Sequence, residues 1–227
     1  MQQMEILDSL VVSNATREYR EARARLHQAE KRLIDQMESV AAMRRALPEG
    51  PEVPDYNFVG LDGAMKLSSL FAPGREPYLV MWHLMYWSDE DEFCPSCSAW
   101  IDGLNGAAPH VEQRVNFAVA TRAPIERLAQ WGVQRGWNRI RLLSDVDASL
   151  PIAISAQESN GDPVATIAVF SKRNGTLRHV YTAHATEEGK PARGLDLLAP
   201  VWHVFDLVPS GRGEFNPSNE YVKLAKT

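Results

Sequence analysis

An α/β fold preceded by a long helical arm is what this sequence predicts, and three observations predict it. Apolar runs at residues 78–87, 115–120 and 139–143 alternate with stretches of helical spacing, as parallel strands alternate with the helices that connect them. A fourth run at 163–170 is followed by Lys172-Arg-Asn-Gly175 and an alternating segment at 177–182, which reads as an antiparallel hairpin around an Asn-Gly turn. In front of these stands a segment rich in Arg and Glu whose apolar residues recur at heptad spacing.

That segment begins at Asn14 or Thr16, either of which can cap a helix, and stops at Pro48-Glu-Gly-Pro51. Tyr19, Leu26, Leu33, Val40 and Leu47 form one series, and Ala22, Ala29, Gln36 and Met43 a weaker one. Together they make a coiled-coil-like seam. At 1.5 Å per residue the helix is on the order of 50 Å long. It predicts either a helix folded back on its own domain or a homodimer paired through the arm. The division expected is an N-terminal helical arm at 1–50 and an α/β domain at 51–227.

Residues 48–54 read as a linker, 56–59 as a short strand and Gly60-Leu-Asp-Gly63 as a turn. Residues 65–71 form a brief segment closed by Ala72-Pro-Gly74. The central strand at 78–87 runs into the acidic loop Ser88-Asp-Glu-Asp-Glu92. A helix then opens at Cys94, carries Trp100, Ile101, Leu104 and Ala108 on one face, and is bent or ended by Pro109. Thr121-Arg-Ala-Pro124 starts the next helix, with Ile125, Leu128 and Trp131 at helical spacing. Residues 144–162 are polar and read as a long loop. A last helix is expected at 194–204, followed by a polar tail from Pro209 over the surface. Strand, helix, strand, helix, strand, hairpin, helix is the order of a thioredoxin-like α/β fold, a central mixed sheet flanked by helices.

The chemistry sits at Phe93-Cys-Pro-Ser-Cys97, which holds both cysteines of the chain. A Cys-x-x-Cys at the junction of a strand and a helix reads as a redox dithiol. Pro95 suits the first helical turn, where its missing N–H costs nothing. The helix N-terminus favours a thiolate on Cys94, the expected nucleophile. Cys97, about one turn on, would resolve the mixed disulfide. The four acidic residues at 89–92 oppose this by repelling a thiolate, and predict a Cys94 that titrates less acidically than in strongly oxidising dithiols. The redox-active disulfide is then the only cofactor, and the partners are protein or small-molecule thiols and disulfides. The alternative is a metal-binding or metal-delivery site using Cys94, Cys97 and His83, since zinc needs four ligands and there is no second Cys-x-x-Cys. A third reading is an adaptor built on the arm.

Composition narrows the classes. The net charge of −5 argues against nonspecific nucleic-acid binding. No apolar run is long enough for a membrane span, and the first residues lack the basic-then-apolar pattern of a secretory signal. These features point to a cytoplasmic protein, in which two close cysteines are catalytic or metal-binding rather than structural.

The run Trp82-His-Leu-Met-Tyr, then Cys94-Pro-Ser-Cys-Ser-Ala-Trp100-Ile-Asp-Gly-Leu-Asn-Gly and Pro109-His110, resembles the thioredoxin-like family called domain of unknown function 899. So do Thr121-Arg-Ala-Pro124, Ala192-Arg-Gly-Leu-Asp196, Asp206-Leu-Val-Pro-Ser-Gly-Arg212 and the charged helix in front. The resemblance implies a dithiol–disulfide oxidoreductase. Such enzymes set a cis-proline against the dithiol; the pattern puts Ala165 there, with Pro163 two residues early. Trp87 is a candidate for lining a substrate surface, Trp82 and Trp100 for packing, and His110 for a structural role. His83 reads as a core histidine or a proton shuttle for the resolving thiol. Arg122, at the end of the second strand, would stabilise a thiolate or bind an anionic substrate, and would matter in a peroxide-reducing version in which Cys94 becomes a sulfenic acid.

Overall fold

The computed structural model describes residues 11–145, 149–185 and 199–220. The chain divides into two compact units, Met1–Pro48 and Glu49–Thr227.

The first unit is built on one helix, α1 (Arg17–Arg45), of 29 residues, about 44 Å long at 1.5 Å per residue. The Thr16 hydroxyl caps it, accepting from the Tyr19 N–H at 3.2 Å. Glu18 in the first turn and Arg44 and Arg45 in the last suit the helix dipole. None of its residues is buried. On the heptad seam Tyr19, Leu26 and Leu33 are 54 %, 53 % and 58 % exposed.

The second unit is organised by a seven-stranded sheet of order β2-β1-β7-β6-β3-β8-β9. β3 (Tyr78–Leu84) runs parallel to β6 (Asn116–Thr121), and β6 parallel to β7 (Arg141–Asp145). β1 (Asn57–Gly60) adds antiparallel to β7 and turns into β2 (Gly63–Lys66). On the other side of β3, β8 (Thr166–Arg173) and β9 (Thr176–His184) form the expected hairpin. Its turn places Asn174 at φ 51° and Gly175 at φ 83°, the left-handed pair that an Asn-Gly sequence supplies most easily.

Alternation along β3 divides the core. Leu79 and Met81 join Phe58, Leu67 and Phe170 on one face. Trp82 and Leu84 face the other, where α2 (Pro95–Val111), α3 (Ile125–Arg135) and α5 (Pro200–Phe205) contribute Trp100, Ile101, Leu128 and Trp202. Both crossovers, β3–α2–β6 and β6–α3–β7, lie on that second face, as right-handed connections moving the same way along a sheet must. A Cβ at Gly103 would come within 3.3 Å of Pro200, so glycine lets α2 approach α5 closely.

Several expected boundaries move. The strand predicted to reach Trp87 ends at Leu84; Tyr86–Trp87 (β4) instead pairs with Glu92–Phe93 (β5) as a small hairpin of its own. Pro109 lies inside α2, which continues to Val111, so it does not itself end the helix; the helix stops within one turn of it. The stretch read as a linker is partly tied down: His179 N–H donates to the Pro51 carbonyl and Val53 N–H to the Leu177 carbonyl, both at 3.0 Å. Gly50 passes so close to the His179 carbonyl that a Cβ would stand 1.9 Å from its oxygen. Within the predicted long loop a short helix, α4 (Ser149–Ala153), forms because Leu150 and Pro151 are buried. Of the last predicted helix, residues 194–198 lie outside the described residues, and the remainder is α5.

A seam that the helix leaves exposed is expected to pair with a second copy. Sedimentation equilibrium of the full chain should give a dimer, and the double substitution Leu26→Glu with Leu33→Glu a monomer. A monomeric native chain would overturn the expectation.

Candidate active site

Cys94 is the N-cap of α2, and its sulfur accepts the backbone N–H of Cys97 at 3.3 Å. Pro95 occupies the first helical turn. The Cys94 N–H is used elsewhere, donating to the Met85 carbonyl at 3.2 Å. The dithiol is thereby fixed just past the carboxyl end of β3, where sheets of this kind carry their ligands. Behind it Trp82 and Trp100 pack with ring centroids 4.8 Å apart. The two cysteines are not joined in a disulfide, and both are buried, Cys94 at 9 % and Cys97 at 3 % exposure.

The hairpin β4–β5 is held against α3. Phe93 stacks on Trp131 at 5.4 Å, and the Trp131 indole N–H donates to the Ser98 hydroxyl in α2 at 3.2 Å. Arg127 lies over the Phe93 ring and donates to the Asp91 carboxylate at 2.7 Å. Tyr86 donates to the same carboxylate at 2.8 Å. These two hydrogen bonds, Tyr86 first, hold the Asp91 carboxyl below its ordinary range.

The acidic loop therefore does not govern the dithiol: the Cys94 pKa is lowered to about 7, which is still less acidic than the nucleophile of a strongly oxidising dithiol. The largest cause is the hydrogen bond from the Cys97 thiol. Burial opposes it, and the backbone N–H groups of Cys97 and Ser96 reinforce it. Glu92 contributes only the last and weakest push upward. Cys97 moves the opposite way, well above an ordinary thiol. Its proton is held by the Cys94 sulfur, and burial and the neighbouring negative charge both penalise its ionisation. One thiol is thus readily ionised while the other keeps its proton.

Beside the dithiol lies a cavity of about 830 Å³. Trp82, Met85, Trp100 and Ala165 line it from the sheet and α2, and Trp202 lines it from α5. The rest of the wall is the segment predicted to run polar over the surface: Arg212 to Pro217 turn back onto the site. Aromatic contacts seat it, with Phe205 and Phe215 at 5.0 Å and Trp202 and Phe215 at 5.9 Å. Arg212 pairs with Asp206 at 2.8 Å and lies over the Trp202 ring. Asn219 donates to the Phe93 carbonyl at 2.9 Å, next to Cys94, and its own backbone carbonyl accepts from Arg135 at 3.2 Å. Trp202 and Phe215 were not legible as site residues. Their only sequence signal was the motif from Asp206 to Arg212, whose ends form this ion pair.

Other candidates are placed elsewhere. Arg122 and Pro163 line a separate cavity of about 200 Å³ with Tyr86 and Gln157, which includes neither cysteine. No peptide bond among the described residues is cis, and Ala165, not Pro163, faces the cavity that holds the dithiol. Trp87 is half-buried in β4 and does not line that cavity, and His110 is exposed. His83 follows Trp82 on β3 and so points to the opposite face of the sheet. There its Nε2 lies 4.0 Å from the Asp145 carboxylate, and burial, with the Arg122 charge, lowers its pKa to about 4. His83 cannot complete a ligand set with the cysteines from that face. Among the described residues no three His, Cys, Asp or Glu side chains are grouped to hold a metal.

The chain belongs to the family described as bacterial protein of unknown function (DUF899), whose model matches residues 9–226. No curated protein matches it. Among solved structures it is similar to the bacterioferritin comigratory protein of Xanthomonas campestris, at 15 % identity and a TM-score of 0.50, over 68 % of this chain and 97 % of that one. Peroxiredoxin Q of the same organism gives 15 % identity and 0.50 over 67 % and 96 %. Peroxidoxin BcpB of Mycobacterium tuberculosis gives 14 % and 0.49 over 70 % and 97 %. The likeness establishes a thioredoxin-like fold, as the order of elements predicts.

The electrostatics yield a titration. Alkylation of the reduced chain by iodoacetamide should label Cys94 with a midpoint near pH 7 and leave Cys97 unreacted below pH 9. In Cys97→Ala, which removes the strongest of the hydrogen bonds to the Cys94 sulfur, the midpoint should move upward. Equal reactivity of both thiols would contradict the assignment.

Proposed function

We propose that this member of the family is a thiol–disulfide oxidoreductase, with Cys94 as nucleophile and Cys97 as resolving thiol. The observation that carries the reading is the division of labour inside one pair: Cys94 lowered to about 7 and Cys97 raised, at a helix N-terminus opening onto a cavity. The Cys94 thiolate attacks one sulfur of a disulfide, the S–S bond breaks, and the first thiolate leaves. Cys97 then attacks the Cys94 sulfur, its proton passes to the second leaving thiolate, and the pair closes as a disulfide. Two electrons have moved to the substrate, and an external thiol reductant must restore the dithiol.

A nucleophile with a pKa of about 7 matches reducing dithiols rather than strong oxidants, which lie near about 3.5. We therefore assign the pair as a reductant. Alkyl peroxide reduction is an activity of the X. campestris comigratory protein, and only the shared fold speaks for it here. Arg122, the residue expected to assist it, lines a different cavity from the cysteines.

Equilibration with dithiothreitol and glutathione buffers, followed by trapping of free thiols, should give a two-electron potential nearer about −270 mV than about −120 mV. Cys94→Ser should abolish turnover of disulfides, and Cys97→Ser should trap a mixed disulfide on Cys94. Turnover at the native level in Cys94→Ser would exclude the proposal.

A further inference from the structure

The geometry points to a neutral, apolar organic disulfide of low molecular weight as the substrate, rather than a folded protein or a charged peptide disulfide; this rests on the dithiol reading above. Cys94 is 9 % exposed, so it can be reached only by a molecule that enters the cavity. A protein disulfide needs an open groove beside the nucleophile. Here Arg212 to Pro217 stand on that flank, fastened through Asn219 to the Phe93 carbonyl and to Arg135. The resulting volume of about 830 Å³ lies within the roughly 300–1,000 Å³ of pockets that enclose small ligands.

The lining decides the chemical class. Trp100, Trp202, Phe215 and Met85 present aromatic and thioether surface, with Trp82 fully buried behind them, which favours apolar and aromatic groups over hydrated ones. Arg212, the cation among the described lining residues, is already matched by Asp206 at 2.8 Å. Glu214 adds a negative charge to the same wall. Among the described lining residues, a substrate carrying carboxylates would meet that charge with no further cation to receive it.

In the reaction the Cys94 thiolate forms an S–S bond with one sulfur of R–S–S–R and expels R–S⁻. Cys97 displaces the second R–S⁻ and supplies its proton. The products are one thiolate, which takes any further proton from solvent, one thiol and the Cys94–Cys97 disulfide, which dithiothreitol reduces in the assay.

The test uses the full chain, fully reduced and in stopped flow. It is mixed in turn with 4,4′-dithiodipyridine, glutathione disulfide, insulin and cumene hydroperoxide. Each rate constant is divided by that of free dithiothreitol with the same compound, which removes intrinsic reactivity. The enhancement for dithiodipyridine should exceed that for glutathione disulfide and for insulin by at least about tenfold, the scale on which apolar pockets discriminate. Trp202→Ala and, separately, Phe215→Ala should each cut that ratio several-fold. Phe215 is 49 % exposed, so its loss tests the cavity even if Trp202→Ala fails to fold. Equal enhancements, or a preference for insulin, would overturn this inference and leave the oxidoreductase reading standing. A larger enhancement with cumene hydroperoxide would overturn the disulfide class. Failure of Cys94 to react with any of them would overturn the dithiol reading itself.

Discussion

The backbone N–H of Cys97, aimed at the Cys94 sulfur, is the contact on which the rest of the site depends. It exists because α2 begins at Cys94 and because Pro95 fixes the first turn without needing a hydrogen bond of its own. Everything around it serves to keep that helix start in place. β3 delivers the chain to the carboxyl end of the parallel strands, and the Met85 carbonyl takes the Cys94 N–H. The hairpin β4–β5 is stacked on α3 through Phe93 and Trp131. Shift the start of α2 by one residue and Cys94 becomes an ordinary helical side chain, with no orphan N–H groups directed at its sulfur.

The acidic loop shows how contacts distant in the sequence offset a run of charge. Four carboxylates in a row are a strong negative field on paper. In the fold, Asp91 is engaged by Tyr86 and Arg127, whose guanidinium spreads over Phe93 and reaches back to the loop. What remains near Cys94 is Glu92, and short hydrogen bonds outweigh a single partly solvated charge. Arg127 comes from a helix 36 positions further along, so no local window of sequence contains the compensation.

The same distinction explains what was legible. The Thr16 cap, the Asn174-Gly175 turn, the alternation of strands with helices and the Cys-Pro-Ser-Cys helix start are local patterns, each set by the conformational preferences of adjacent residues. They sufficed for the order of elements and for the position of the dithiol. The fate of His83 and Arg122 depended on which face of a strand each occupies and which cavity opens there, and that follows only from the assembled sheet. The polar tail departs furthest from what its composition suggests. Hydrophilic residues predict solvent contact, and several of them are indeed exposed, yet Phe215 and the Asn219 side-chain amide supply the contacts that seat it beside the cysteines.

The hydrogen bond from Asn219 to Phe93 joins residues 126 positions apart. It separates two properties that a dithiol protein could otherwise keep in one loop. In the proposed reaction, reactivity is written into the turn between β5 and α2, while admission is written into a segment that belongs to neither the sheet nor its crossover helices. Changes in that segment can alter which molecules arrive without touching the thiols, the sheet or the helix that activates them. A lineage could therefore drift in selectivity while its redox chemistry stayed fixed, and the invariant and variable parts of the site would lie far apart in the domain's sequence.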